Sequence, residues 1–488
     1  MKIVTKKQFA NSLFWKSCNF IFSKGLSIVI SIILARVLGV SDFGLMAIWS
    51  VILSFCEVIV MGGMDTVLVQ KKDITKKDYS IVLGTGMLRA VALYLVVFFS
   101  APFIAGFYEQ AFLTNVLRVV CVDFFSQAVI SVIVAKRIRN MDFKTIFFAD
   151  FLATLCGGMG AVLVFYTGLG QWALVCNTLT HKLMYALFLM AFDRFSVGMS
   201  LGGKRYKELF VDGKKVVANN LIDLCTSGAT TLVIGKKWNA TEVGYLDNAE
   251  KYTQLAGVES YNVISDLLLP TFSSCQDDVR KMKEIGRRLI ALSCYLMFPL
   301  MLGFAMCSEE VVQFLLTEKW LPAAPLMQIA CAKYAVNPIR QACAKINYAA
   351  GKYRSNLVIE LIRLVLTGIS LVTVSLLVAP DITVICWSMV TVLVITVACY
   401  VVSLRKSIGY VFGELAVDII PTVLMSGASM VPVILLKLLH LPLIVYLVVA
   451  VASAVITYVG LSALFKVDMF CYVVSSIKGV IGKRKRGL

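Results

Sequence analysis

The chain has 488 residues, of which 59% are hydrophobic and 16% charged, and its mean hydropathy is +0.84. Soluble domains contain roughly 45–50% apolar and about 25% charged residues, so the composition excludes a soluble protein, a disordered chain and a coiled coil. The net charge of +18 would suggest a nucleic-acid partner in a soluble protein, but here the basic residues lie between long apolar runs. We therefore expect a multi-pass membrane protein that binds no nucleic acid.

Apolar runs long enough to cross a bilayer, about 20 residues each, follow one another along the whole chain. In the first half they predict spans near 12–35, 43–63, 81–104, 113–135, 145–167 and 170–192. In the second half they predict spans near 208–234, 243–270, 287–307, 323–348, 356–379, 382–404, 415–438 and 441–465. The charged, Asn-containing stretch 214–223 is expected to be partly a loop. The predicted fold class is an all-α bundle of about 14 transmembrane helices, with twelve as the alternative.

The distribution of basic residues predicts the orientation. If the N-terminus is cytoplasmic, 32 of the 47 Lys and Arg lie in inner segments and 5 in outer loops. Cytoplasmic loops of membrane proteins carry this excess, so both termini are expected on the cytoplasmic side of the membrane. The basic run 483–486 then forms a tail beside anionic membrane lipids.

A short internal repeat relates 35–50 to 235–250. The matched positions, 200 residues apart, are Arg36 with Lys236, Ser41-Asp42 with Thr241-Glu242, and Gly44 with Gly244. Ser41 and Thr241 are expected to cap the helices that follow. Both copies join the first and second span of a six-span set, which predicts two lobes related by an axis along the membrane normal and a substrate site between them. The expected divisions are 1–200, 201–406, 407–466 and a basic tail at 467–488.

Several charges lie inside predicted spans, where each cation near the bilayer centre costs about 2.5–3.5 kcal/mol. Snorkelling to an interface is the expected behaviour of Lys16, Lys182 and Lys345, and an i,i+3 ion pair that of Glu360 and Arg363. The other charges are candidates either for binding an anionic substrate or for pairing with one another. The candidate substrate-binding cations are Lys24, Lys251, Arg340 and Arg89, and the candidate ion-coupling acids are Glu57 and Asp223.

Catalytic motifs are not found. The only histidines are His181, expected to make a helix–helix contact, and His440. The fourteen Cys include no CxxC pair and mostly lie in apolar runs, which is typical of small hydrophobic packing residues. We expect no catalytic residues, metal site or cofactor. Because no ATP-binding loop is present, an ion gradient, the membrane potential or the substrate's own gradient would drive any transport.

Four segments carry a family resemblance. LARVLGVSDFGLMA (34–47) and GMDTVLVQKKDITKKDYS (63–80) resemble stretches of bacterial polysaccharide exporters. AKRIRNMDFKTIFFADFLAT (135–154) is similar to their "R-x-M-x-F" entry to span five. EVGYLDNA (242–249) is similar to their eighth-span entry "x-x-G-x-Y-x-x-A", except that Tyr245 directly follows Gly244 instead of standing two residues after it. The chain thus resembles the Wzx-type flippases of the MATE-like exporter superfamily.

The resemblance implies a two-lobed bundle in a bacterial inner membrane, which flips undecaprenyl-pyrophosphate-linked oligosaccharides to the periplasmic leaflet by alternating access. It implies a cationic cavity, which by position carries over to Lys24 and Lys251 with Glu57 and Asp223, and H⁺ or Na⁺ as a possible coupling ion. The alternatives are a MATE-like antiporter of small molecules or cations and, from another class, a membrane polysaccharide polymerase or ligase. An enzyme of that kind requires a large outer loop, whereas the longest outer segment here is about 307–322.

Overall fold

The structure, a computed structural model, describes residues 6–71, 73–193, 198–273, 279–377, 381–439 and 441–471. Within these residues the regular secondary structure consists of nineteen α-helices, one π-helical turn and one 3₁₀ turn. The chain forms two compact units, Met1–Gly244 and Tyr245–Leu488. The lobe boundary expected at residue 200 was inferred from the sequence repeat, and it stays a prediction. His440 and the basic run 483–486 lie outside the described residues.

The first unit contains the helices up to α10 and the first turn of α11. Its elements are α1 Lys6–Cys18, the π-turn Asn19–Lys24, α2 Gly25–Val37, α3 Val40–Met61, α4 Met64–Gln70, α5 Lys76–Tyr108, α6 Phe112–Val120, α7 Asp123–Arg139, α8 Phe143–Tyr166, α9 Trp172–Asp193, α10 Lys204–Lys237 and the start of α11 Ala240–Ser273. Helix α10 packs against α3, α4 and α5.

The second unit contains the rest of α11 and the remaining helices. They are α12 Val279–Met306, α13 Ser308–Leu315, the 3₁₀ turn Glu318–Trp320, α14 Ala323–Ala349, α15 Tyr353–Leu377, α16 Ile382–Ile408, α17 Phe412–Ser429, α18 Val431–Lys437 and α19 Leu443–Leu464. Helices α12, α14 and α16 pack together, and Tyr400 and Leu404 are among the fully buried side chains of this core.

Eleven segments of the described chain are long and apolar enough to cross a membrane. Helices α10, α11 and α14 have 34, 34 and 27 residues but carry more charge. They bring the long helical segments of this part of the chain to fourteen, consistent with the predicted span count, and the all-α membrane fold is confirmed.

The loop predicted at 214–223 is wrong, because α10 is continuous from Lys204 to Lys237. Lys214, Lys215 and Asp223 are exposed on it. In hydrocarbon the backbone N–H and C=O groups must bond to one another, which favours a continuous helix. Charged side chains on the exposed face of the helix leave these backbone hydrogen bonds intact.

The sequence repeat is also a structural repeat with the same offset of 200 residues. Helices α2 and α10 end at 37 and 237, and α3 and α11 begin at 40 and 240. The predicted caps Ser41 and Thr241 are wrong, because both residues already lie inside their helices. Instead the Asp42 carboxylate accepts the backbone N–H of Gly39 (2.9 Å), and the Asn239 side chain accepts that of Glu242 (2.9 Å).

The two repeat glycines mark a close contact between α3 and the first turn of α11, inside the first unit. A Cβ atom on Gly44 would lie 1.6 Å from the carbonyl oxygen of Ala240, and one on Gly244 would lie 2.2 Å from that of Val40. The contact is therefore reciprocal, since residues 40 and 44 meet residues 240 and 244. Backbone meets backbone here, so only glycine fits without a shift of one helix.

We expect Gly44→Ala to lower the thermal stability of the purified protein by about 2 kcal/mol or more, because overpacking against a backbone carbonyl cannot be relieved by a rotamer change. The matched control is Gly106→Ala in α5, where no atom lies within 4 Å of the added Cβ. It should melt at or above the wild-type temperature, since alanine is the better helix former. Equal melting temperatures for G44A and the wild type would contradict the contact.

Candidate functional site

Lys24 ends the π-turn that interrupts the first span. A π-turn adds one residue to a helical turn and is frequent at functional sites. The side chain of Lys24 is exposed and makes no ion pair with any described residue. Ser23, beside it, is buried, and its hydroxyl has no hydrogen-bond partner within the described chain. The first span thus carries an uncompensated positive charge next to an unsatisfied polar group.

Arg340, on α14, belongs to a cluster of two guanidinium groups around one carboxylate. Its Nη1 lies 2.5 Å from Glu360 Oε1, and Arg363 Nε lies 2.6 Å from Glu360 Oε2. The predicted ion pair between Glu360 and Arg363 is confirmed. Tyr400 also donates its hydroxyl to Glu360 (2.8 Å), and Arg340 Nε donates to Asn337 (3.1 Å). Arg340 and Arg363 therefore share the carboxylate of Glu360.

Lys251, on α11, lies in a balanced environment. It follows Asp247 by one helical turn and interacts with it electrostatically. The neighbouring Glu250 is bound by Lys333, with 2.6 Å between Nζ and Oε1. Two lysines and two acids therefore cancel in this part of the second unit.

Lys182 occupies the centre of a charged cluster between α3, α7 and α9, so the prediction that it snorkels is wrong. Its Nζ donates to Glu57 (3.2 Å) and to Gln127 (3.0 Å), and lies 3.6 Å from Asp123 Oδ2. Asp123 is fully buried, and neither of its carboxylate oxygens accepts a hydrogen bond from a described residue. Two carboxylates face one ammonium group, which leaves an acidic surplus in this cluster.

Asp123 follows a short turn within the fourth span. Helices α6 and α7 are separated by Cys121 and Val122, and Asp123 begins α7. Asp123 is not among the site residues predicted from the sequence; the signal that identifies it there is an acidic residue inside the apolar run 113–135.

The two remaining predicted site residues lie elsewhere. Arg89 donates from Nε to the carbonyl of Val60 (3.0 Å) and from Nη2 to that of Met61 (3.4 Å), which caps the C-terminal end of α3. Asp223 is exposed near the middle of α10. Their roles in substrate binding and ion coupling stay predictions.

The family-like segment 135–154 makes structural contacts at helix ends. Arg139 donates to the carbonyls of Leu68 (2.9 Å) and Lys71, and Arg137 pairs with Asp142 (2.5 Å). Burial disfavours the charged form of Asp142, but hydrogen bonds from Thr145 and the charge of Arg137 hold its pKa below the ordinary value. These residues therefore fasten the α7–α8 turn to α4.

His181 makes the predicted helix–helix contact, with its Nε2 3.2 Å from Asp150 Oδ1 on α8. No group of three or more potential metal ligands is found among the described residues.

A family model described as "Polysaccharide biosynthesis protein" matches residues 33–325, more than half of the chain. The chain belongs to this polysaccharide biosynthesis family. The resemblance inferred from the sequence is confirmed.

Individual members of the family are distant relatives. The chain is 22% identical over 325 residues to the lipopolysaccharide biosynthesis protein WzxC of Escherichia coli, with 65% of each chain aligned. It is 21% identical to the succinoglycan biosynthesis transport protein ExoT of Rhizobium meliloti, with 66% of each aligned. It is 19% identical to the teichuronic acid biosynthesis protein TuaB of Bacillus subtilis, with 57% of that protein aligned. The chain thus spans about two thirds or less of these relatives' length.

Solved structures share the fold over nearly the whole chain. The lipid II flippase MurJ in an inward closed conformation superposes with a TM-score of 0.74 at 13% identity, covering 94% of this chain and 99% of that one. An inward-facing multidrug resistance transporter of the MATE family superposes with a TM-score of 0.62 at 13% identity, covering 81% and 98%. At this identity the likeness defines the fold alone.

Removing the ammonium group of Lys182 should destabilise this family member strongly. Lys182→Met leaves two carboxylates without a counter-charge, a change that costs about 3–5 kcal/mol for a buried pair. The combined variant K182M/E57Q/D123N should recover most of the melting temperature, because it removes both the cation and the acids. Lys24→Met, at an exposed lysine without an ion pair, is the control and should melt like the wild type. A K182M single variant that melts like the wild type would contradict the stabilising role of Lys182 between the two carboxylates.

Proposed function

We propose that the protein flips undecaprenyl-pyrophosphate-linked oligosaccharide repeat units from the cytoplasmic to the periplasmic leaflet by alternating access. The family membership and the names of the relatives, which concern lipopolysaccharide, teichuronic acid and succinoglycan, support this substrate class. Both termini are then cytoplasmic, in agreement with the distribution of basic residues.

Cationic side chains in the membrane-spanning helices support this proposal, because they can bind the pyrophosphate of the substrate. A pyrophosphate has about two negative charges and binds most strongly to cations whose own counter-charge is incomplete. Lys24 in the first unit makes no ion pair with a described residue, and Arg340 in the second shares its carboxylate partner, Glu360, with Arg363. Lys251 is balanced by acids, so its contribution is expected to be smaller, and Arg89 acts as a helix cap.

The membrane potential favours the proposed direction of transport. Moving a negative charge outward across an inside-negative membrane releases about 2.3 kcal/mol per charge for each 100 mV. The remaining barrier is the desolvation of the pyrophosphate, which fixed cations reduce by replacing part of its hydration. The prenyl chain has no such barrier, since it stays in hydrocarbon.

We also propose that Asp123, with Glu57, holds a coupling cation. A buried carboxylate that accepts no hydrogen bond is costly in its ionised form, and Lys182 supplies only one positive charge to two acids. Binding one H⁺ would neutralise the cluster. Asp223 is exposed and lacks these features, so we place coupling at Asp123 and Glu57 instead.

Substrate binding is tested with Lys24→Ala and Arg340→Ala in cells that lack their own copy of the protein. Losing one charge-assisted contact, about 1.5–3 kcal/mol, should lower export of surface polysaccharide by roughly 10-fold or more at equal protein level. Lys251→Ala should have a smaller effect, and Lys77→Ala, at an exposed lysine at the start of α5, should have none.

Unchanged polysaccharide export in the K24A/R340A double variant would overturn the assignment of the cations. Increased sensitivity to toxic cations with normal surface polysaccharide would favour a MATE-like antiporter over a flippase.

Coupling is tested with Asp123→Asn in vesicles that contain the lipid-linked substrate and carry an imposed pH gradient. The wild type should respond to the gradient, whereas D123N should flip substrate at a rate independent of it, because the side chain no longer binds a proton. Asp223→Asn is the matched control and should respond like the wild type. A D123N variant that keeps the full response would place coupling elsewhere.

A further inference from the structure

A groove lies between α15 and α16, entirely within the second unit. Its volume is about 680 Å³, and its lining is apolar along most of its length. Val358 and Ile362 line it from α15, and Val402 from α16, with 46%, 40% and 48% of their surfaces exposed. Large apolar side chains with this exposure on a membrane-spanning helix face acyl chains. The groove is therefore open to lipid along its side.

One end of the groove is basic. Arg354, in the first turn of α15, and Lys406, in the last turn of α16, both line it, together with Ser355 and Ser403. Both cations are exposed and pair with no acid in the described part of the chain, and no acid lines the groove. Lys352 and Arg405 lie next to them in sequence, so positive charge accumulates at this end.

A second cavity in the same unit shows what distinguishes this groove. It has about 710 Å³ and is lined by Arg287, whose guanidinium group is bound by both carboxylate oxygens of Asp418 at 2.6–3.2 Å. Its arginine is thus already neutralised by the protein. Arg354 and Lys406 have no such partner among the described residues, so both remain available to the phosphate of a ligand.

We propose that the groove between α15 and α16 binds one anionic phospholipid, with its phosphodiester between Arg354 and Lys406 and an acyl chain along Val358, Ile362 and Val402. Basic pockets between membrane helices bind anionic headgroups in this way. The two cations lie in the first turn of α15 and the last turn of α16, at the depth of a phospholipid headgroup. The inference does not depend on the proposed transport function, because lipid binding is measured without transport.

The test is native mass spectrometry of the full chain purified in detergent and titrated with phosphatidylglycerol or with zwitterionic phosphatidylethanolamine. The wild type should retain phosphatidylglycerol in clear preference. Arg354→Ala with Lys406→Ala should bind it about 30-fold more weakly, from about 1 kcal/mol for each cation. The charge-preserving pair R354K/K406R should bind normally. Ala398→Trp, which fills the groove, should lose the lipid with both cations in place.

The control for lost charge is K76A/K77A, at two exposed lysines of α5 that line no cavity described here. It should bind phosphatidylglycerol like the wild type. Normal binding in R354A/K406A, or equal retention of the two phospholipids by the wild type, would overturn the proposal. So would displacement of phosphatidylglycerol by undecaprenyl pyrophosphate at lower concentration, since the groove would then belong to the substrate carrier.

Discussion

A charged side chain inside a bilayer must be paired with an opposite charge, hydrated, or bound to a substrate or ion. This constraint determines the arrangement of charges in the membrane-spanning part of the protein. Lys182 shows neutralisation, because it lies among Glu57, Asp123 and Gln127. Lys333 with Glu250 is a second neutral pair. Lys24 makes no ion pair with a described residue, and Arg340 shares Glu360 with a second arginine. The protein thus separates charges that stabilise helix packing from charges that are available to an anion, and the proposed function depends on the second group.

The residues that carry the family resemblance and the residues proposed to bind substrate are different sets. Arg137, Arg139 and Asp142 fasten helix ends through specific hydrogen bonds, so their type and spacing are constrained. A pyrophosphate requires only positive charge at the correct depth, which several positions on several helices can provide. This explains why motifs identified the family while the candidate binding residues had to be inferred from charge and depth alone.

Hydropathy and the repeat were sufficient to predict the fold, because both are local properties of the sequence. The runs of apolar residues predicted the long helices, and the offset between Gly44 and Gly244 predicted equivalent helix starts that the structure places at 40 and 240. Pairing between helices was harder. Lys182 and Glu57 are 125 residues apart, and their contact depends on how α3 and α9 are rotated, which no local pattern records. Lys182 lies near the middle of α9, too far from either end for snorkelling, and that depth was the available signal.

Flipping by the purified protein in vesicles tests the central claim most directly. Vesicles would carry an undecaprenyl-pyrophosphate-linked oligosaccharide in one leaflet, and a soluble lectin would report its arrival in the other. We predict that the wild type moves the substrate and that an inside-negative potential accelerates outward movement. Wild-type protein that transfers no lipid-linked sugar, or transfers it at a rate unaffected by the potential, would contradict transport of an anionic lipid-linked substrate through a cationic site.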